Sequence, residues 1–260
     1  RRQLHMCIRE SSVTSAQNII KCCNQSGLDV EDIVLEPLSS SQAVLSPDEQ
    51  EVGVVLVDIG GGTTDVTIYS EGSIVHTAVL ALGGNHLTHD IAIGLGAPLH
   101  EAEEIKHNFG VAMSSMVKED EMIDVPSVGG RNNRTMKKRV LASIIEDRFR
   151  EIFELITHEI EKTHFHTLMA SGVVITGGTC IMPGADRLAS QVLNLPVRVG
   201  YPENIAGLRE MIYSPKYATS VGLVRYGITS NQGKLNFVGD DTNLFHKVSR
   251  RMKDWMQDFF

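Results

Sequence analysis

The sequence lacks any apolar run near the roughly 20 residues that a membrane-crossing helix needs, and it lacks a secretory leader. Membrane contact is therefore expected to be peripheral. Cysteine is scarce, with four in 260 residues. Cys7, Cys22, Cys23 and Cys180 show neither C-x-x-C spacing nor a small-domain disulfide pattern, which excludes a disulfide scaffold and points to a reducing compartment. The adjacent Cys22 and Cys23 read as two small residues on a helix. An excess of positive charge is missing too: the formal net charge is −8. Nucleic-acid binding driven by overall charge is excluded, and any basic patch is local. No short-period repeat, low-complexity tract or Ser-His-Asp constellation stands out. His158, His164 and His166 lie near one helix end, but their spacing does not converge on a metal. The sequence has no initiator Met and opens on Arg1-Arg2, as a fragment would.

What remains is the composition of a globular protein, 42% hydrophobic and 22% charged, with room for one large domain or two modest ones. Strands and helices alternate, which makes the class α/β. The patterning predicts a strand at 3–8, a helix at 12–26, a strand at 33–38, a short helix at 39–45 and a polar linker at 47–50. Three strands follow at 54–57, 66–70 and 74–80, then helices at 86–94 and 99–109. A strand is expected at 122–128, a basic loop at 129–134 and a long amphipathic helix at 138–162. The last carries Leu141, Ile145, Phe149, Ile152, Ile156 and Ile160 on one face. A strand at 171–175, a helix at 184–193, a strand at 197–199 and a helix at 218–226 complete the core. Residues 231–241 read as a linker.

Between the first two strands of the central group stands Asp58-Ile-Gly60-Gly61-Gly62-Thr63. Three glycines let the backbone turn with φ > 0 and approach a ligand, and their N–H groups can form an anion nest. Asp58 ends a buried strand, placed to hold a metal-bound water or to orient an attacking one. Thr63 and Thr64 add hydroxyls. The loop has no P-loop lysine, and a strand rather than a helix follows it, so it is not a dinucleotide fingerprint. A plain hairpin would need neither Asp58 nor the Thr63-Thr64-Asp65 continuation. A second turn, Thr176-Gly177-Gly178-Thr179, ends another buried strand. Ligands in open α/β sheets sit at the carboxyl ends of strands, so the two turns can line one cleft.

The last 18 residues form a separate unit. At about 100° per residue, Leu244, Phe245, Val248, Met252, Trp255, Met256 and Phe259 share one side. Lys247, Arg250, Arg251 and Lys253 lie opposite with Asp254, Gln257 and Asp258. Such a helix lies in a membrane interface, its cations drawn to anionic lipid.

Asp58 to Thr63 resembles the second phosphate loop of the actin, heat-shock chaperone and sugar kinase superfamily, and Ile175 to Gly178 resembles its adenosine motif. Within that superfamily the chain is similar to the FtsA family throughout. The residues that carry this are 56–65, Val125-Pro-Ser-Val-Gly-Gly-Arg131, 174–178, 218–227 and the terminal amphipathic segment. The resemblance implies an actin-like (ribonuclease H-like) fold: a mixed sheet flanked by helices, with an inserted smaller α+β subdomain. Residues 1–50 would end the small subdomain specific to FtsA. Residues 51–96 and 171–229 would form the large nucleotide-binding subdomain, 97–170 the inserted subdomain with its FtsZ contact, 230–242 a linker and 243–260 the membrane helix.

It further implies ATP and Mg2+ as cofactors of the intact protein, with Gly60, Gly61, Gly62 and Thr63 on the phosphates and Asp58 near the metal. Gly83 and Gly84 match glycines at the nucleotide's base. Glu103 and Lys106 match an adenosine-clasping Glu-x-x-Lys pair, and Gly177, Gly178 and Thr179 the second turn. Chaperones place arginine after that lysine, where this sequence has His107. The superfamily's first phosphate loop is absent, so nucleotide binding by this chain alone is expected to be weak or nil. Arg131, Arg134, Lys138 and Arg148 match the basic surface that receives the C-terminal peptide of FtsZ. The implied protein is a scaffold with at most weak ATPase activity. It would bind lipid, polymerise, recruit other divisome proteins and sit on the cytoplasmic face of the bacterial inner membrane at the division site. The alternatives are a chaperone-type ATPase, a sugar kinase or a pilus-assembly relative of FtsA.

Overall fold

The computed structural model describes residues 2–127, 133–163, 170–203 and 209–231. Residues up to Leu35 belong to one unit and Glu36–Ser230 form another. The first unit holds helix α1 (Arg2–Gln25). The strand expected at 3–8 is therefore the first part of a helix. Six residues are too few for periodicity to separate strand from helix, and the helical pattern of Val13, Ala16, Ile19 and Ile20 continues back through them.

The second unit begins with α2 (Glu36–Val44) and α3 (Pro47–Val52), followed by β1 (Val54–Ile59), β2 (Thr64–Ser70) and β3 (Ser73–Leu80). Helices α4 (Gly84–Leu95) and α5 (Leu99–Phe109) lead to β4 (Met122–Val125), β5 (Arg134–Lys137) and α6 (Lys138–Glu161). The chain closes with β6 (Val173–Thr176), α7 (Ala185–Leu193), β7 (Val197–Val199), α8 (Arg209–Ile212) and α9 (Ala218–Asn231). Two expectations are corrected here. The strand at 33–38 gives way to α2, because Pro37 in a first helical turn forfeits no hydrogen bond. The linker at 47–50 is α3, begun by a capping box: Ser46 accepts from the Glu49 amide and Glu49 accepts from the Ser46 amide.

The main sheet has the order β3-β2-β1-β6-β7, with β1 antiparallel to β2 and parallel to β6. β1 is central and wholly buried, as its unbroken apolar run requires. The β2–β3 turn has two central residues, Glu71 and Gly72, both at positive φ, which suits the twist of a tight hairpin.

Alternation along the strands sends Val55, Val57, Ile59, Val66, Ile68, Val173 and Ile175 to one face, where they pack with α4, α6 and α7. The six expected residues of the α6 stripe are all buried, joined by Phe153, which stacks on Phe149 with ring centroids 5.6 Å apart. The opposite face carries Val54, Leu56, Tyr69 and Val174 against α2 and Ala218 of α9. β4 and β5 form a separate two-stranded sheet.

Candidate functional site

β1 and β6 are parallel neighbours, with Asp58 opposite Thr176. The turns that leave them consequently open at the same sheet edge, the place where α/β sheets hold ligands. The first turn is closed by the Gly60 amide donating to Thr63 O at 2.9 Å. Its carbonyls face inward: Gly60 O accepts from the Gly84 amide at 2.9 Å and from Thr179 Oγ1 at 2.9 Å, and Gly61 O accepts from the Asn85 amide at 2.7 Å. Gly61, Gly62 and Thr63 are exposed, and within the described residues the Gly61 and Gly62 amides donate to nothing.

The glycines of the site divide into two kinds. A Cβ on Gly62 would meet nothing within 4 Å, and one on Gly178 only Lys216 Cβ at 3.7 Å. A Cβ on Gly83 would lie 2.7 Å from Gly60 O and 2.8 Å from Gly61 O, and one on Gly84 2.6 Å from Thr179 Oγ1. Gly177, at φ 93°, would place its Cβ 2.4 Å from Ile59 O and 2.5 Å from Asp58 Oδ1. Gly83, Gly84 and Gly177 thus let the turns and α4 pack together, whereas Gly62 and Gly178 leave open space.

Asp58 is almost fully buried. Burial pushes its carboxyl up, a hydrogen bond from Ser40 opposes this, and the nearby Glu36 carboxylate adds to the rise. Asp65 is its cross-strand partner. Burial, then Glu36 and Asp58, push Asp65 up to about 6. Glu36, Ser40 and Thr219 were missed at the sequence level. The Glu36-Pro37 helix start and the Ser39-Ser40-Ser41 run were visible, but only the fold brings them to Asp58.

Glu103 and Lys106 meet each other at 2.7 Å. Lys106 Nζ also donates to Gly84 O at 3.1 Å and Thr88 Oγ1 at 2.8 Å, and Thr88 donates to Glu103. His107 Nε2 lies 3.0 Å from the other oxygen of Glu103. Burial would raise the Glu103 carboxyl, but the bonds from Lys106 and Thr88 outweigh it and hold it low. The pair is thereby anchored on the first turn of α4, beside the glycine turn. On the other side, Lys216 stands next to Gly178 with its ammonium 4.7 Å from the Tyr217 ring centroid. Lys216 was also missed, since nothing local marks it.

The basic face is internally paired. Arg148 makes a two-pronged bond to Asp90, Nε to Oδ2 and Nη2 to Oδ1, and also reaches Glu151. Lys138 bonds Glu121 at 2.7 Å, and Arg134 donates to Leu95 O. Arg131, the 230–242 linker beyond 231 and the amphipathic residues from Leu244 to Phe259 lie outside the described residues. No described helix is long and apolar enough to cross a membrane.

This sheet order, with paired glycine turns at its strand ends, is that of an actin-like α/β protein. Solved structures agree: MreB5 of Spiroplasma citri bound to ADP superposes with a TM-score of 0.68 at 19% identity, over 85% of this chain and 67% of that one. The PilM-PilN type IV pilus biogenesis complex gives 0.61 at 17% identity, over 82% and 57%. The model of the cell division protein FtsA family matches residues 55–222. FtsA of Pseudomonas aeruginosa is 41% identical over 254 residues, 96% of this chain and 61% of that protein. FtsA of Escherichia coli K12 is 39% identical over 253 residues, 94% and 60%. The chain belongs to the FtsA family of cell division proteins, and it spans about three-fifths of the length of these relatives.

Proposed function

We propose that this chain supplies the second half of an ATP site in a protein that ties FtsZ filaments to the cytoplasmic membrane. The observation that supports the nucleotide reading most directly is the meeting of two glycine turns at adjacent strand ends, where Gly61 and Gly62 are exposed and their amides donate to nothing among the described residues. Gly61, Gly62 and Thr63 would hold phosphate oxygens, Gly178 and Thr179 would lie along the nucleoside, and Asp58 would orient a water. No three acidic, histidine or cysteine side chains among the described residues converge on a metal, so Mg2+ would be held chiefly by the phosphates, with Asp58 reaching it through a bound water. Carboxylates at Asp58, Asp65 and Glu36 repel a polyphosphate, and a bound Mg2+ supplies the positive charge that lets the two coexist. Glu103 and Lys106 would clasp the adenosine from α5, and their mutual bond keeps that clasp in place. The MreB5 structures of Spiroplasma citri carry ADP and AMPPNP.

The other half of the proposal concerns attachment. Residues 243–260 would lie in the membrane interface on the cytoplasmic face at the division site. Self-polymerisation would multiply that weak anchor, and FtsZ and other divisome proteins would be the partners. An acidic FtsZ peptide would bind Arg131, Arg134, Lys138 and Arg148 by exchanging with their present partners, notably Glu121 and Asp90. ATP turnover would be slow at most.

The test is sedimentation with anionic-lipid vesicles, comparing the chain with a version ending at Asp241, with and without FtsZ. The intact chain should pellet and carry FtsZ down while the shorter version stays in solution. If both stay in the supernatant, the tether is wrong. Nucleotide binding is measured separately, by titrating Mg2+-ATP into a version extended at its amino terminus to the length of its relatives. Absence of binding there would overturn the ATP site.

A further inference from the structure

Asp58 is held from behind. Its side chain turns with those of Val54 and Leu56 toward the layer of α2 and α9. There Ser40, fully buried on α2, donates its hydroxyl to Asp58 Oδ2 at 2.7 Å. A serine has one hydroxyl proton, so the 3.0 Å contact between Ser40 Oγ and Thr219 Oγ1 is one in which Ser40 accepts. Thr219 Oγ1 is also 3.4 Å from both Asp58 Oδ2 and Glu36 Oε1, long for an O–H···O bond. The order of donation is thus Thr219 to Ser40 to Asp58, and each bond in such a chain polarises the next.

The two oxygens of Asp58 are thereby divided. Oδ2 is taken by the helix layer. Oδ1 accepts no hydrogen bond among the described residues and lies where a side chain at position 177 would have to go. It therefore abuts the second glycine turn, beside the first.

We propose that Ser40, supported by Thr219, is the positioning residue of Asp58: it fixes the carboxylate by Oδ2 so that Oδ1 faces the ligand held between the two glycine turns. This rests on the nucleotide reading for the identity of that ligand, whose Mg2+-bound water is the group Oδ1 would meet. The positioning itself is a property of the ligand-free chain. Ser40 touches no ligand, and its influence passes through Asp58 alone.

Two measurements test it. The first is the Asp58 χ1 angle from three-bond NMR couplings in the ligand-free chain. Wild type should show one rotamer, Ser40→Ala an average of rotamers and Thr219→Val a partial average, while Thr219→Ser, which keeps the hydroxyl, should match wild type. The second compares ATP affinity with and without Mg2+ in the version extended to its relatives' length. Ser40→Ala should weaken Mg2+-ATP roughly tenfold, the loss of one hydrogen bond to a charged group, and leave Mg2+-free ATP within about twofold. A single Asp58 rotamer in Ser40→Ala would overturn the proposal, as would equal losses for both forms of ATP. Should Ser40→Ala fail to fold, Thr219→Val against Thr219→Ser carries the same comparison. Should wild type bind no nucleotide, the ATP reading falls, and the rotamer measurement still decides whether Ser40 positions Asp58.

Discussion

The two glycine turns look alike in sequence and differ in what their glycines are for. In the first, between β1 and β2, Gly62 has open space where a side chain would be, and its amide donates to nothing among the described residues. In the second, after β6, Gly177 is forced: its φ of 93° disfavours any other residue, and a Cβ would run into Ile59 O and Asp58 Oδ1. The turns also differ in charge. Asp58 and Asp65 flank the first, whereas the second has Thr176, Thr179 and a buried Cys180 hydrogen-bonded to Thr176 O. A glycine in such a turn can therefore be required by the fold or be left with open space, and the surroundings tell which.

The sharpest way to break this comparison is Gly177→Ala. It combines a strained backbone with a clash against main-chain atoms that cannot rotate away, so it should cost about 3 kcal/mol or more, read from denaturant midpoints. Gly83→Ala follows. Its φ is extended, so no strain arises, and only the 2.7 Å approach to Gly60 O acts. The cost should be about 2 kcal/mol. If Gly83→Ala equals Gly177→Ala, left-handed backbone is not what sets the second turn apart.

The charge difference gives a third prediction. Asp65 binds its proton more tightly when folded, at about 6, than when unfolded. Its contribution to stability is therefore full below about pH 4 and is lost as pH rises through about 6. Asp65→Asn should be more stable than wild type at pH 7.5 by about 2 kcal/mol, an advantage that vanishes near pH 4. Denaturant melts across that range check it. A constant difference at every pH would mean that neither burial nor the neighbouring carboxylates raise the Asp65 carboxyl.

The parts of this molecule legible in its sequence are those fixed by short-range pattern. The buried run of β1, the α6 stripe and both glycine turns are encoded within a few residues of themselves, and so were found. The misses lie where a long-range contact decides. Ser40 is 18 residues from Asp58 and Thr219 is 161 residues away, and no window joins them. Arg148 was expected on a basic surface, and its pairing with Asp90, 58 residues earlier, is invisible to local pattern. α3 was missed for another reason: its capping box was present, but its four polar residues between Pro47 and Val52 give it no apolar face. The role of Gly83 needed the turn it packs on. The first turn read as a candidate ligand site by its flanking aspartates, while the packing role of each glycine waited for its neighbours.

Gly62→Ala is expected to have the smallest effect on stability and separates the two kinds of glycine most cleanly. No atom lies within 4 Å of the added methyl, and a surface change of this sort usually stays within about 0.5 kcal/mol. If Gly62 serves only the hairpin, Mg2+-ATP affinity in the version extended to its relatives' length should be as unchanged as stability. If it lets the amide reach a phosphate oxygen, the methyl occupies the space the phosphate needs. Affinity then falls by roughly tenfold or more, the loss of about 1.4 kcal/mol of contact. The same substitution at Gly178, whose Cβ would meet only Lys216 at 3.7 Å, serves as the matched control for the second turn. A binding loss at Gly62 with no loss of stability, against a stability loss at Gly177, would show that one cleft is built from two turns whose glycines answer to different demands.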